Sequence, residues 1–215
     1  AQAGASQAIQ NMDGTFTNVD FSYGITVDRR NQVYQPSSGY ITKWEQSLPL
    51  VMDSSSLLNG ITATTYHAVT DDVIGSIRFY GRAIHGVDED VRLTSRLYIP
   101  QNRLRGFNTR RVGPKDGGDW IGGNYVTALG FEAQLPKLLP EASNTDVSVF
   151  LDTGNVWSVD YSSGLDDANK IRSAIGLGAN IYTAIGPLSF TLAQDLTSSS
   201  TDEAESFNFR IGTSF

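Results

Sequence analysis

The sequence predicts an all-β fold, the wall of an antiparallel transmembrane β-barrel, and three observations carry that prediction. Segment after segment alternates apolar and polar residues with a period of two, which gives a strand one apolar and one polar face. No stretch approaches the roughly 20 consecutive apolar residues that a spanning helix needs. The chain closes on Phe207-Asn208-Phe209-Arg210-Ile211-Gly212-Thr213-Ser214-Phe215. There Phe207, Phe209, Ile211 and Phe215 share one parity, Asn208, Arg210, Gly212 and Ser214 the other, and an apolar face with a terminal aromatic suits a strand against lipid.

The elements follow in order. Ala1 to Met12 is rich in Ala and Gln without alternation, and predicts a short helix ended at Gly14. Strands are then predicted at 19–28, 40–49, 57–69, 75–86, 91–99, 123–135, 146–157, 171–184, 187–195 and 206–215. The segment 91–99 either pairs as a strand or leads into the loop that follows it, which leaves about nine strands. The 21 glycines and 7 prolines supply the turns between them. No linker or low-complexity stretch divides the chain, so 1–215 is read as one domain.

Composition narrows the partners. Hydrophobic residues at 40% are enough for an ordered fold, and with no cysteine there is neither a disulfide framework nor a thiolate metal site. A net charge of -7 argues against nucleic acid, whose phosphates call for clustered Lys and Arg. The opening Ala1-Gln2-Ala3 has no charged and apolar leader, so we expect either a removed signal or a piece of a longer protein.

Charged residues inside the strands keep to one parity. Lys43 and Glu45 alternate with Tyr40, Thr42 and Trp44, and Arg78, Tyr80 and Arg82 with Ile77, Phe79 and Ala83. Gly130, Glu132 and Gln134 alternate with Leu129, Phe131 and Leu135, and Asp152 lies opposite Val149 and Leu151. A soluble sandwich turns such charges outward to water, whereas a barrel wall turns them into a wet lumen. Parity alone leaves both open.

The long loop between the fifth and sixth predicted strands separates them. It contains Leu104-Arg105-Gly106-Phe107, followed by Gly113-Pro114-Lys115 and Gly122-Gly123-Asn124. An arginine offers a planar fork of donors for a carboxylate, Gly106 permits backbone closed to other residues, and Phe107 supplies an anchor. The tetrapeptide resembles the [V/L]-R-G-[F/Y] signature of the BamA-type, or bacterial surface antigen, superfamily of outer-membrane insertases and transporters. The likeness continues through Phe131-Glu132, Phe150-Leu151-Asp152-Thr153-Gly154-Asn155-Val156-Trp157, Ile185-Gly186-Pro187-Leu188 and the terminal strand. It also reaches back to Asp28-Arg29-Arg30 and Pro36-Ser37-Ser38-Gly39.

The resemblance implies the C-terminal portion of a sixteen-stranded barrel, with 1–14 the remnant of an extracellular loop and 100–122 a loop turned into the lumen. It implies that Arg105 meets acidic wall residues at the matching positions Glu132 and Asp152. It also implies that Phe207, Phe209, Ile211, Gly212 and Phe215 belong to a strand bordering a seam, where Gly212 locally weakens pairing. The implied function is folding and insertion of β-barrel proteins into an outer membrane of the Gram-negative type. Its partners would be unfolded client proteins, the lipid bilayer and, in the full-length protein, assembly-complex lipoproteins; unpaired edges also favour self-association. Two-partner secretion and TamA-like protein transporters share the loop motif. A passive porin or a soluble β-sandwich module would show the same alternation but has no need of the tetrapeptide.

Nothing points to an enzyme, a metal or a cofactor. His67 and His85 are the only histidines and fall on different strands, and no Ser/His/Asp pattern suggests a nucleophile. Asp160, Asp166 and Asp167 flank Gly164 without the spacing of a calcium loop and read as a solvated turn, as does Val87-Asp88-Glu89-Asp90. Gly176-Leu177-Gly178 lies inside a strand rather than before a helix, so it is no dinucleotide fingerprint.

Overall fold

The computed structural model describes residues 17–33, 35–52, 55–87, 89–140, 143–165, 167–183 and 186–212. The expected helix at 1–12, the loop remnant at 1–14 and the terminal Phe215 lie outside them.

The described residues form eleven strands: β1 (Asn18–Asp28), β2 (Gly39–Met52), β3 (Ser55–Thr70), β4 (Val73–Val87), β5 (Lys115–Asp116), β6 (Asp119–Trp120), β7 (Tyr125–Leu135), β8 (Thr145–Trp157), β9 (Arg172–Thr183), β10 (Gly186–Thr197) and β11 (Phe207–Ile211). Nine form one sheet in the order β1-β2-β3-β4-β7-β8-β9-β10-β11, every neighbour antiparallel. The sheet is not closed: β1 and β11 are its edges. It nevertheless curls, because Gln35, between β1 and β2, donates to Asp146 at the start of β8 at 2.7 Å.

The burial pattern settles which parity faces out. Ile25, Leu177, Leu192, Phe207 and Ile211 are each more than half exposed, while Asp152 and Val156 are fully buried. No second sheet covers the apolar face among the described residues, so this is not a sandwich. An uncovered apolar face beside a charged, buried concave face is the arrangement of a wall between lipid and lumen. At one end of that outer face Tyr125 stacks on Trp157 at 5.6 Å, and its hydroxyl meets the His85 ring nitrogen at 2.8 Å. Amphipathic rings there suit a membrane interface.

Of the two readings of 91–99, the structure takes the second. The segment 91–99 is not a wall strand: Leu93–Ser95 forms a 3₁₀ turn, and Leu97 makes a single bridge to Gly123. Its alternation instead serves a core beneath the loop, where Val91, Leu97 and Ile99 are buried. The last strand is described over Phe207–Ile211, and the part of the expected 206–215 strand beyond Gly212 lies outside the described residues. Gly212 itself takes a φ of 114° while donating its N–H to Pro187 O at 3.0 Å. That backbone suits glycine alone among the common residues.

The core lies on the concave side, between wall and loop. Tyr80 and Ile84 of β4, Val126 and Ala128 of β7, Val156 of β8 and Ala174 of β9 pack with Val91, Leu97, Ile99, Leu104, Phe107 and Val112. The loop between β4 and β7, residues 88–124, thus supplies half of the apolar cluster. Its hairpin β5–β6 stands beside a second cluster in which Ile121 and Val159 are buried.

Candidate functional site: an arginine loop docked on the inner wall

The inner wall makes room for the loop with small residues. A Cβ at Gly130 would come within 2.8 Å of Asp152 Oδ1, one at Gly178 within 2.8 Å of Ser148 Oγ, and one at Gly176 within 2.6 Å of the Phe150 ring. Gly106, with φ at 92°, lies so close to Ala174 and Ala193 that its own Cβ would meet Ala174 at 2.8 Å. The Gly176-Leu177-Gly178 pattern therefore has a steric role: its inward positions are left empty for Phe150 and the loop, while Leu177 faces out.

Arg105 fills that space. Its Nε donates to Asp152 Oδ2 at 2.7 Å and its Nη2 to Asp152 Oδ1 at 3.0 Å, a fork against a fork. Its Nη1 stands 2.8 Å from Glu132 Oε2, and its backbone N–H donates to Asp152 Oδ2 at 3.1 Å. The guanidinium also lies 3.5 Å above the Phe150 ring centroid. Burial alone would lower the Arg105 pKa, but the bonds to Asp152 and the charge of Glu132 outweigh it, so the group stands above its ordinary value and stays cationic.

A second arginine shares the acids: Arg78 Nη2 is 3.1 Å from Asp152 and 3.5 Å from Glu132. The site is thus two cations on two carboxylates. Leu104 and Phe107, each 2% exposed, flank Arg105 and anchor the loop in the apolar core. The structure therefore brings together Leu104, Arg105, Gly106, Phe107, Glu132 and Asp152. Phe207, Phe209 and Ile211 stand apart on the outward face of the edge strand β11, and Phe209 packs on Phe190 of β10 at 4.9 Å. Arg78 and Phe150 are site residues that sequence reasoning missed, although both have the inward parity of Asp152.

A further ionic node lies nearby, with no forewarning in sequence. The Arg172 side chain is fully buried; its Nε and Nη2 donate to Asp202 at 2.9 and 3.0 Å, and Nη2 also reaches Asp167 at 2.7 Å. Its Nη1 donates to Asn155 Oδ1 at 2.5 Å and to Lys170 O at 3.0 Å. Asp160 is likewise structural, accepting the Val91 N–H at 2.7 Å and the Asn124 side-chain amide. Asp167 is thus an internal tie rather than part of the expected solvated turn, while Asp160 makes its bonds from an exposed turn; Asp166 lies outside the described residues. No group of three or more His, Cys, Asp or Glu able to hold a metal ion occurs among the described residues.

Fold and site together define a class: a membrane β-barrel wall whose long loop turns inward and is pinned by an arginine to paired acids. The chain belongs to the Omp85 superfamily, whose domain model matches residues 1–215. It is 22% identical over 221 residues to the outer membrane protein assembly factor BamA of Neorickettsia risticii, covering 98% of this chain and 29% of that protein. It is 25% identical over 171 residues to the human sorting and assembly machinery component 50 homolog, covering 74% of this chain and 36% of that one. The chain therefore spans about a third of the length of these relatives. The crystal structure of BamA from Haemophilus ducreyi lacking POTRA domains 1-3 superposes with a TM-score of 0.81 at 23% identity, covering 88% of this chain and 41% of that one. That likeness shows the fold.

Proposed function

We propose that this domain serves the folding and insertion of β-barrel proteins into an outer membrane of the Gram-negative type. The observation that carries the proposal is the Arg105 loop, forked onto Asp152 on the inner face of a membrane β-barrel wall. A strand edge presents a row of unpaired backbone donors and acceptors, and hydrocarbon offers them no water. An incoming client strand satisfies that row by β-augmentation. The work is strand exchange, with no bond made or broken, and so the domain acts without a catalytic residue or cofactor. Gly212, at a φ of 114°, keeps one hydrogen bond to Pro187 O of β10 and offers no side chain to pack at that point of the last strand, which suits a seam that opens. The names of the relatives, an assembly factor and an assembly-machinery component, support it too.

In a longer protein carrying this domain, the partners are unfolded outer-membrane clients and the lipoproteins of an assembly complex. Taken alone, the chain exposes two edges, β1 and β11, and self-association is the expected result. The test is reconstitution in liposomes with an unfolded barrel client. The full-length protein should accelerate client folding, and the folded 215-residue chain alone should leave it at the uncatalysed rate, because a seam needs both first and last barrel strands. No acceleration by the full-length protein would refute the proposal.

A further inference from the structure

Two buried arginine–aspartate forks bracket one short ladder. The ladder runs between the long loop and the connection from β10 to β11: Glu205 N donates to Gly106 O at 2.9 Å, Asn108 N to Glu203 O at 2.9 Å and Glu203 N to Arg111 O at 3.1 Å, around the antiparallel bridge Phe107–Ala204. Arg105, forked onto Asp152, directly precedes its first residue on the loop side. Asp202, forked by Arg172, directly precedes its first residue on the other side. Asp202 also accepts the Ser199 N–H at 2.6 Å and the Gly113 N–H at 3.3 Å, so one carboxylate gathers both connections. Glu205 continues the path into the last strand, taking the side-chain amides of Gln101 at 2.6 Å and Asn208 at 3.1 Å.

We propose that Arg172 is a positioning residue for β11: with Arg105 it fixes the ladder that sets how the last strand meets its neighbour at the seam. The functional part rests on the insertase reading above; the mechanical part does not. Arg172 is suited to the task because its donors are spent on Asp202, Asp167, Asn155 and Lys170 O, which ties the end of β8, the β8–β9 connection and the β10–β11 connection to one rigid group. A lysine, a point charge without the fork, cannot hold them all at once. Among the described residues β11 pairs with β10 at five positions, directly after the connection that Asp202 and Glu205 hold, so what fixes its entry bears on its order.

The experiment compares Arg172→Lys and Asp202→Asn in the full-length protein in bilayers by hydrogen exchange, heat-modifiable mobility and client folding. Losing a charge-assisted fork should raise exchange about tenfold or more at Asn108, Glu203, Glu205 and through 207–211. The β4–β7 ladder and the heat-modifiable mobility of the barrel should be unchanged. Adding Arg105→Lys should raise exchange little beyond the worse single variant, because the two forks hold one unit. A disulfide from Asn108→Cys with Glu203→Cys, at positions facing each other across the ladder in a domain that has no cysteine of its own, should restore client folding to Arg172→Lys. Exchange confined to 167–172, or additive effects of the two forks, would overturn the mechanical proposal. If β11 loosens as expected while client folding is unchanged, the insertase role of Arg172 falls and the mechanical coupling stands. Should Arg172→Lys not assemble, the same readings on Asp202→Asn, which keeps the side-chain shape, decide the matter.

Discussion

Replacing Arg105 with alanine should release the loop while leaving the wall standing. Arg105 is 8% exposed, its fork meets the fully buried Asp152, and its third nitrogen meets Glu132, whose side chain is 10% exposed. Removing one member of a buried ion pair costs about 3–5 kcal/mol, mostly from the charge left behind. Here Arg78 remains within 3.1 Å of Asp152 and 3.5 Å of Glu132, so the acids are not orphaned and the lower end, about 3 kcal/mol, applies. That free energy acts on loop docking, and it corresponds to about a hundredfold shift towards the undocked form. Hydrogen exchange in bilayers reads it directly: the amides of Asn108 and Glu205, whose acceptors are Glu203 O and Gly106 O, should exchange about a hundredfold faster. Amides in the β4–β7 ladder serve as the control. Arg105→Lys should fall between wild type and Arg105→Ala. Unchanged protection at Asn108 and Glu205 in the alanine variant would refute the claim that the fork holds the loop.

Three further outcomes are expected. Phe209→Arg places a charge on the outward face of β11, costing about 2–4 kcal/mol at mid-bilayer, whereas Asn208→Arg adds it to the inward face; liposome folding yields should drop more for the first, and equal drops would contradict the facing. Gly106→Ala forces a side chain into φ 92° and against Ala174, so it should mimic loop release in exchange without changing the fold of the wall, and a docked loop in that variant would contradict the close approach. The Tyr161 hydroxyl is pushed up to about 12 by burial and by its 3.0 Å bond to Asp116. With the folded pKa above the unfolded one, this contribution to loop stability is complete below about pH 10 and is lost as pH rises through about 12; the late phase of phenolate absorbance should shrink by one tyrosine in Tyr161→Phe, and an unchanged late phase would contradict the assignment.

Much of this architecture was readable from period alone. The wall strands alternate because one side meets lipid and the other meets the loop, and that contrast repeats at Ile77/Arg78, Phe131/Glu132 and Leu151/Asp152. The same rule misled at 91–99, where alternating apolar residues face a loop core and the backbone pairs through one bridge only. Arg105 with Glu132 and Asp152 was legible through the tetrapeptide and shared parity. Arg172 with Asp202 was not, because Arg172 opens β9 while Asp202 lies in the β10–β11 connection, after a run of Ser and Thr that resembles an ordinary solvated turn. Phe150 was hidden by its type: an aromatic on the inward parity breaks the polar pattern, yet it forms the platform beneath a guanidinium.

The place of the long loop in the sheet has an entropic consequence. β4 and β7 are direct neighbours from Ile74–Gln134 to Ala83–Tyr125, although residues 88–124 intervene. Closing so long a connection instead of a two-residue turn costs only about 2.5 kcal/mol, since chain entropy grows with the logarithm of length. The β4–β7 ladder itself contains no residue of the loop. The β4–β7 pairing and the loop's attachment are therefore separate equilibria within one polypeptide, and the interior tether can let go and return without unzipping that ladder.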